Sequence, residues 1–130
     1  MIADMGAGLE HLSWAGGTLR SVDLLLVVVE PHAKSLVTAR RTSVLARELG
    51  IPRIGLVVNR VLPEDVTRTD VFARTSGVEV VALVSDDQAV RDADRAGRCP
   101  VDWSPEAAAV RAVERLADEL ERRLPVPAAV

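Results

Sequence analysis

The sequence predicts an α/β protein built on a partial doubly wound parallel sheet of three to four strands with flanking helices. A run of six apolar residues inside Asp23–Glu30 has the length and β-branched second half of a strand buried on both faces. Further apolar runs alternate along the chain with segments of helical periodicity, and glycines and prolines separate them. Because βαβ crossovers are right-handed and make neighbouring strands parallel, this alternation favours a doubly wound sheet.

A short strand end is predicted at the N-terminus. Residues 2–3 are apolar and Asp4 follows them, and the next residues, 5–8, contain two glycines typical of a turn. The strand over Asp23–Glu30 comes next. Pro31 closes that strand, since proline has no amide hydrogen to continue a ladder.

A helix and a second strand are predicted after Pro31. Apolar residues at helical spacing indicate a helix over residues 35–49, with Ser35 as its N-cap and Gly50 at its end. Residues 53–59 form a second apolar strand. This strand is expected to end on the polar pair Asn59-Arg60.

The second half of the chain is predicted to hold one strand among three helices. Ser85 or Asp86 is expected to cap the helix that follows this strand. Ser104 is expected to cap the last helix, because Pro105 and Glu106 both favour a first helical turn. The predicted elements are a helix over residues 63–75, a strand over 79–84, a helix over 87–96 and a helix over 104–124.

The composition is that of one ordinary soluble domain. The 130 residues are 48% hydrophobic and 27% charged, with a formal net charge of -3. The 16 basic residues are scattered and offset by 19 acidic ones, so nothing indicates a nucleic-acid partner. Cys99 is the only cysteine, and no signal-like segment or transmembrane segment of about eighteen apolar residues occurs. We expect a cytoplasmic protein with one domain over residues 1–125 and a loose tail over 126–130.

Polar residues follow all four predicted strands. Open α/β sheets bind ligands beyond the carboxyl ends of their strands, so these residues are candidates for a ligand site. Loops after strands are usually polar in any protein, and the pattern alone leaves both interpretations open. The four groups are Asp4, Glu30-Pro31-His32, Asn59-Arg60 and Ser85-Asp86-Asp87.

Each candidate side chain also has an ordinary structural explanation. Asp4 lies between an apolar strand and a glycine turn, the position from which an aspartate of nucleotide hydrolases holds magnesium or its coordinated water. Aspartates in turns also accept hydrogen bonds from their own backbone. The Asn59 amide both donates and accepts, which suits a purine edge, although asparagine also favours turns. Arg60 suits a base or a phosphate, or is a solvated surface charge. His11 and His32 match no zinc spacing.

Several segments together resemble the MinD/ParA-like P-loop ATPases of the SIMIBI class. The resemblance lies in D-M-G-A-G-L-E-H-L (residues 4–12), V-D-L-L-L-V-V-V-E-P (22–31) and V-V-N-R (57–60). Within that family it is greatest to the CooC-type accessory ATPases, which insert nickel into carbon monoxide dehydrogenase. The three segments in this order indicate the family far more specifically than any one segment does. The likeness covers nearly all of the chain.

The resemblance implies a P-loop NTPase-like fold that binds ATP with Mg²⁺. Asp4 would then be the catalytic carboxylate near magnesium and its water, and the backbone at Ala7 and Gly8 would sense the terminal phosphate. Asn59 would face adenine, with the loop from residue 84 to 87 beside the base. The implied nucleotide-binding residues are Ala7, Gly8, Asn59, Arg60, Val84, Ser85 and Asp86.

The family's phosphate-binding loop has no counterpart in these residues. No G-K-G-G-x-G-K-S/T segment occurs, and Lys34, the only lysine, lies outside any glycine run. The chain therefore resembles only the C-terminal half of the family.

We expect an ATP-binding nucleotide switch, in metallocentre maturation or partitioning, that hydrolyses no ATP alone. Its expected partner is a second copy, an intact ATPase or a target protein. The alternative is a non-catalytic interaction or dimerisation module that pairs through an exposed sheet edge.

Overall fold

The computed structural model describes residues 1–5 and 21–124. Ala7, Gly8 and the predicted tail over residues 126–130 lie outside these ranges. The strands are β1 (Leu25–Val29), β2 (Ile54–Val61) and β3 (Glu79–Ser85). The helices are α1 (Ala33–Glu48), α2 (Val66–Ser76), α3 (Gln88–Arg95), α4 (Pro100–Trp103) and α5 (Ala108–Arg123), and a 3₁₀ turn over Pro63–Asp65 precedes α2.

The strands form a parallel sheet in the order β1-β2-β3. This confirms the predicted α/β class and gives three strands in the described part of the chain. The predicted strand end at Asp4 is wrong, because residues 1–5 form no strand and Ile2 is 97% exposed. Among residues 21–124 no strand pairs with this short apolar segment, so its backbone joins no ladder there.

Helices cover both faces of the sheet. One face of β1 and β2 packs against α1, with Phe72 of α2 at its margin. The other face of β2 and β3 packs against Ala109 and Ala112 of α5. The buried residues of the cluster that includes α1 are Val27, Val29, Leu36, Ala39, Leu56, Val58, Val61 and Val78. The return of the chain to the second face after β3 makes the sheet doubly wound.

Strand β1 differs from its prediction in burial. Val27 and Val29 are buried, as expected, but Val28 between them is 64% exposed. In the described ranges β1 is an edge strand with β2 as its only partner. The apolar run predicted that both faces of β1 are buried, and the structure buries only the face that carries Val27 and Val29. Burial of the opposite face depends on which elements pack near this edge of the sheet.

The start of α1 was also predicted wrongly. His32 is the N-cap residue, and Ser35 lies within the first turn of the helix. The Ser35 hydroxyl oxygen instead accepts a hydrogen bond of 3.1 Å from the Glu30 amide, which closes the turn between β1 and α1. The predicted end at Gly50 is confirmed by its φ angle of +79°, and α2 ends before Gly77, whose φ angle is +65°.

Two boundaries in the second half are set by Asp87. The cap of α3 is Asp87 rather than Ser85 or Asp86, since its carboxylate accepts from the Ala89 amide at 2.9 Å. The last helix begins at Ala108 instead of Ser104, and the short α4 was not predicted. The Ala109 amide donates to Asp87 at 3.1 Å, so this helix start is satisfied by a distant residue. Within the described ranges, no helix is both long and apolar enough to span a membrane.

Candidate functional site

The polar pair Asn59-Arg60 forms a bulge in β2 instead of ending it. Val58 pairs with Leu83 and Val61 pairs with Ser85, so two residues of β2 lie opposite one residue of β3. Arg60 has a φ angle of +56°, a left-handed conformation that is uncommon for a long side chain. Bulges redirect side chains and occur often beside binding sites. The backbone of β2 is therefore irregular where the sequence predicted a ligand site.

A cavity of about 510 Å³ lies at the carboxyl ends of β2 and β3. Five of the predicted nucleotide-binding residues line it together: Asn59, Arg60, Val84, Ser85 and Asp86. Its walls are largely apolar side chains of the following segments: Val90, Pro100, Val101, Val110 and Val113. The polar groups lie at the strand ends, so the cavity suits a flat apolar ring with polar edges.

Ion pairs connect the ends of all three strands. Arg60 Nη1 lies 3.4 Å from Glu30 Oε1, and Arg60 Nε lies 3.9 Å from Asp86 Oδ1. His32 Nε2 lies 3.1 Å from Glu30 Oε2, and Asp86 pairs closely with Arg91 of α3. The left-handed backbone at Arg60 thus holds its guanidinium between two carboxylates from neighbouring strands.

Asp87 fixes two walls of the cavity relative to each other. Hydrogen bonds from the amides of Ala109 and then Ala89 lower the pKa of the Asp87 carboxyl, with a further contribution from Ala108. One carboxylate therefore binds the N-termini of both α3 and α5. A negative charge at two helix N-termini is favourable, so Asp87 is ionised at neutral pH and stabilises this arrangement.

Magnesium-binding groups are not assembled in the part of the chain that the structure describes. No cluster of three or more His, Cys, Asp or Glu side chains suited to a metal ion occurs there. Asp4 is exposed and is not among the residues that line the cavity. Ala7 and Gly8 lie outside the described residues. The described residues expected to meet a base are therefore together, whereas Asp4 lies apart from them.

Sequence reasoning missed Arg91 and the apolar wall on α5. Arg91 lies one helical turn after Asp87, so its place beside Asp86 could have been inferred once α3 was predicted. Val110 and Val113 face the cavity because Asp87 holds the start of α5, and no local pattern indicates that contact.

Comparison with known proteins gives relatives that match about four fifths of this chain. The chain is 39% identical over 109 residues to an ATP-binding protein of Methanocaldococcus jannaschii, a match covering 83% of this chain and 41% of that protein. It is 37% identical over 105 residues to the carbon monoxide dehydrogenase accessory protein CooC of Rhodospirillum rubrum, covering 81% and 39%. These relatives confirm the predicted resemblance to the MinD/ParA-like ATPases, with a CooC protein among the similar sequences. No family model matches this chain.

Solved MinD structures share the fold of this chain. The MinD of Pyrococcus horikoshii in complex with Mg-ADP superimposes with a TM-score of 0.67 at 20% identity, over 90% of this chain and 47% of that one. The MinD of Aquifex aeolicus in its complex with MinC gives a TM-score of 0.68 at 21% identity, over 84% and 46%. The chain thus spans less than half the length of the relatives and structures that it matches.

Proposed function

We propose that this chain supplies the base-binding half of an ATP site, with adenine in the cavity at the carboxyl ends of β2 and β3. The observation that carries the proposal is the meeting of Asn59 and Arg60 with the strand end at residues 84–86 in one cavity. The Asn59 amide can donate to adenine N1 or N7 and accept from the N6 amino group. The valines of the walls suit the faces of a planar ring.

The proposal assigns the phosphate end of the nucleotide to residues outside the described cavity. Asp4 is the proposed carboxylate near magnesium, and the backbone at Ala7 and Gly8 is the proposed sensor of the terminal phosphate. These 130 residues contain no glycine-rich lysine loop. Since backbone amides and that lysine provide most of the electrostatic stabilisation of phosphoryl transfer, we propose that these residues alone hydrolyse no ATP.

Nucleotide binding is tested by titrating a fluorescent ATP analogue against the wild-type chain and Asn59→Ala. Loss of the base contact should weaken binding by about tenfold, the effect of one hydrogen bond in a desolvated pocket. Thr75→Ala is the matched control, because Thr75 is exposed on α2 and bonds only its own helix. Equal affinity of Asn59→Ala and the wild type would refute the base contact.

Hydrolysis is tested by a phosphate-release assay on the same chain. We expect no turnover above buffer. Turnover that Asp4→Ala abolishes would overturn the proposed inactivity and would at the same time support a catalytic role for Asp4.

In the cell, the proposed role is a cytoplasmic nucleotide switch whose nucleotide state alters the binding of a partner. Metallocentre maturation is one form of this role, since one relative is an accessory protein of carbon monoxide dehydrogenase. Partitioning is the other. The proposed partner is a second copy, an intact ATPase or a target protein, and residues 1–125 act as one domain.

A second candidate function is a non-catalytic interaction module. It is favoured by Val28, an exposed apolar residue on β1, the edge strand of the described sheet. A strand edge with apolar side chains pairs readily with another strand. Sedimentation analysis of the wild type and Val28→Lys tests this function, since a lysine at the edge should abolish association. A chain that stays monomeric at high concentration would exclude self-pairing.

A further inference from the structure

Asp86 and Arg91 form a close ion pair in the wall of the cavity. We propose that this pair sets the base preference of the site, so that adenine is bound and guanine is rejected. The inference rests on the proposed nucleotide-binding function and adds the residue that determines base specificity. Arg91 would act through the carboxylate of Asp86 and through its own N–H groups.

The two purines differ in what their edges offer. Guanine presents two adjacent donors, N1–H and the N2 amino group, which match the two acceptor oxygens of a carboxylate. Adenine presents N1 as an acceptor beside the N6 amino donor, which matches a side-chain amide such as that of Asn59. A carboxylate free to accept in this wall would therefore favour guanine, because charge-assisted hydrogen bonds are the stronger ones.

In the structure one oxygen of the Asp86 carboxylate, Oδ1, is engaged by two cations. This atom pairs with Arg91 and lies 3.9 Å from Arg60 Nε. Only 24% of the Asp86 side chain is exposed, so its charge is screened by these groups more than by water. With Oδ1 occupied, the two carboxylate oxygens cannot both accept from guanine N1–H and N2, and the guanidinium N–H groups beside Oδ1 repel those donors.

Arg91 is held in this position by its own helix. Its Nε and Nη2 atoms donate to Gln88 Oε1 at 3.0 Å and 2.8 Å. Gln88 in turn donates from Nε2 to Asp92 Oδ1 at 2.7 Å. This chain of bonds directs the guanidinium toward Asp86, so the ion pair is part of a prearranged wall.

The test measures ATP and GTP affinities of the ¹⁵N-labelled chain by chemical-shift titration, which detects millimolar binding. Arg91→Gln should raise the ratio of GTP to ATP affinity about tenfold over the wild type, the effect of one charge-assisted hydrogen bond. Arg95→Gln is the matched control, since Arg95 pairs with Asp92 on the same helix and does not line the cavity. Its ratio should equal that of the wild type.

A second variant distinguishes hydrogen bonding by the Asp86 carboxylate from a general loosening of the cavity wall. Adding Asp86→Asn to Arg91→Gln should remove the gain for GTP, because no carboxylate remains to accept from guanine. An unchanged ratio in Arg91→Gln, or a gain that persists in the double variant, would overturn the proposal. If the wild type bound ATP through Asn59 but the ratio of GTP to ATP affinity were the same in Arg91→Gln, only the proposed base selection would be refuted. If neither nucleotide bound, the proposed function would fail with it.

Discussion

The sheet is irregular at two places, and the two bulges differ in what surrounds them. The first lies in β3, where Leu56 pairs with Val80 and Val57 with Ala82, which leaves Val81 without a partner. The second lies in β2, where Asn59 and Arg60 lie opposite the single residue Val84. Both add one residue to a strand, yet only the second borders the cavity with the charged groups.

The first bulge is accommodated by packing and the second by strain. Val81 is tolerated because Gly55 beside it has no side chain, and a Cβ atom at Gly55 would lie 2.9 Å from Val81 Cγ1. At the second bulge a non-glycine residue, Arg60, adopts a left-handed backbone. Strained conformations persist where surrounding structure holds them, and they occur often at functional sites. The first bulge is therefore matched to its packing, and the second borders the cavity of the proposed base site.

Gly55→Ala should have the largest effect on stability. The new methyl group would overlap Val81, and overpacking of this kind costs about 1–3 kcal/mol of unfolding free energy. Urea denaturation of the wild type and the variant measures the loss. Nucleotide affinity should change little in molecules that remain folded, because Gly55 is remote from the carboxyl ends of the strands.

The overlap itself is checked by a double-mutant cycle with Val81→Ala. In that background Gly55→Ala should cost much less, since the atoms that the methyl group meets are gone. An equal cost in both backgrounds would mean that Gly55 is needed for its backbone conformation and not to make room for Val81.

Asp87→Asn should have an intermediate effect that depends on pH. An amide has one acceptor oxygen, so one of the two helix amides that Asp87 binds would lose its partner, at a cost of about 1–2 kcal/mol at pH 7. The folded-state pKa of Asp87 is lowered, so its contribution is present above the unfolded pKa and is lost as pH falls through the folded pKa. Urea denaturation at pH 7 and pH 3 should show the difference narrowing in acid.

Asp92→Asn provides the control for this pH dependence. Asp92 lies on the exposed side of α3 and accepts from Gln88. Its replacement should change stability little at either pH. A difference between Asp87→Asn and the wild type that is the same at pH 7 and pH 3 would contradict the role of the ionised carboxylate.

The sequence was sufficient for the parts of the site that depend on strand order. Because parallel strands end at one edge, Asn59 and Asp86 were expected to lie together, and they line one cavity. The left-handed backbone of Arg60 could not be inferred, since it follows from pairing between β2 and β3. The start of α5 was misplaced because its cap, Asp87, lies 22 residues away.

Burial of β1 shows the same limit. Its apolar run is identical in pattern to a strand covered on both faces, and Val28 is nonetheless exposed. Periodicity reports which side chains favour burial, whereas their actual cover depends on the neighbouring elements. Local sequence patterns therefore predict where the helices and strands lie. Long-range contacts determine the bulge at Arg60, the cap of α5 by Asp87 and the exposure of Val28.

Arg60→Gly and Arg60→Ala should have the smallest effect, and together they test whether the second bulge is strained. Alanine keeps the steric cost of a left-handed backbone, about 1 kcal/mol, and glycine removes it. Both variants lose the same ion pairs of a guanidinium that is 58% exposed, so this loss affects the two variants equally. A glycine also loses more conformational entropy on folding than an alanine does. In urea denaturation, the unfolding free energy of Arg60→Gly should therefore exceed that of Arg60→Ala by no more than about 1 kcal/mol. If alanine were the more stable, Arg60 would not hold a left-handed backbone in solution, and the two bulges would differ in their side chains alone.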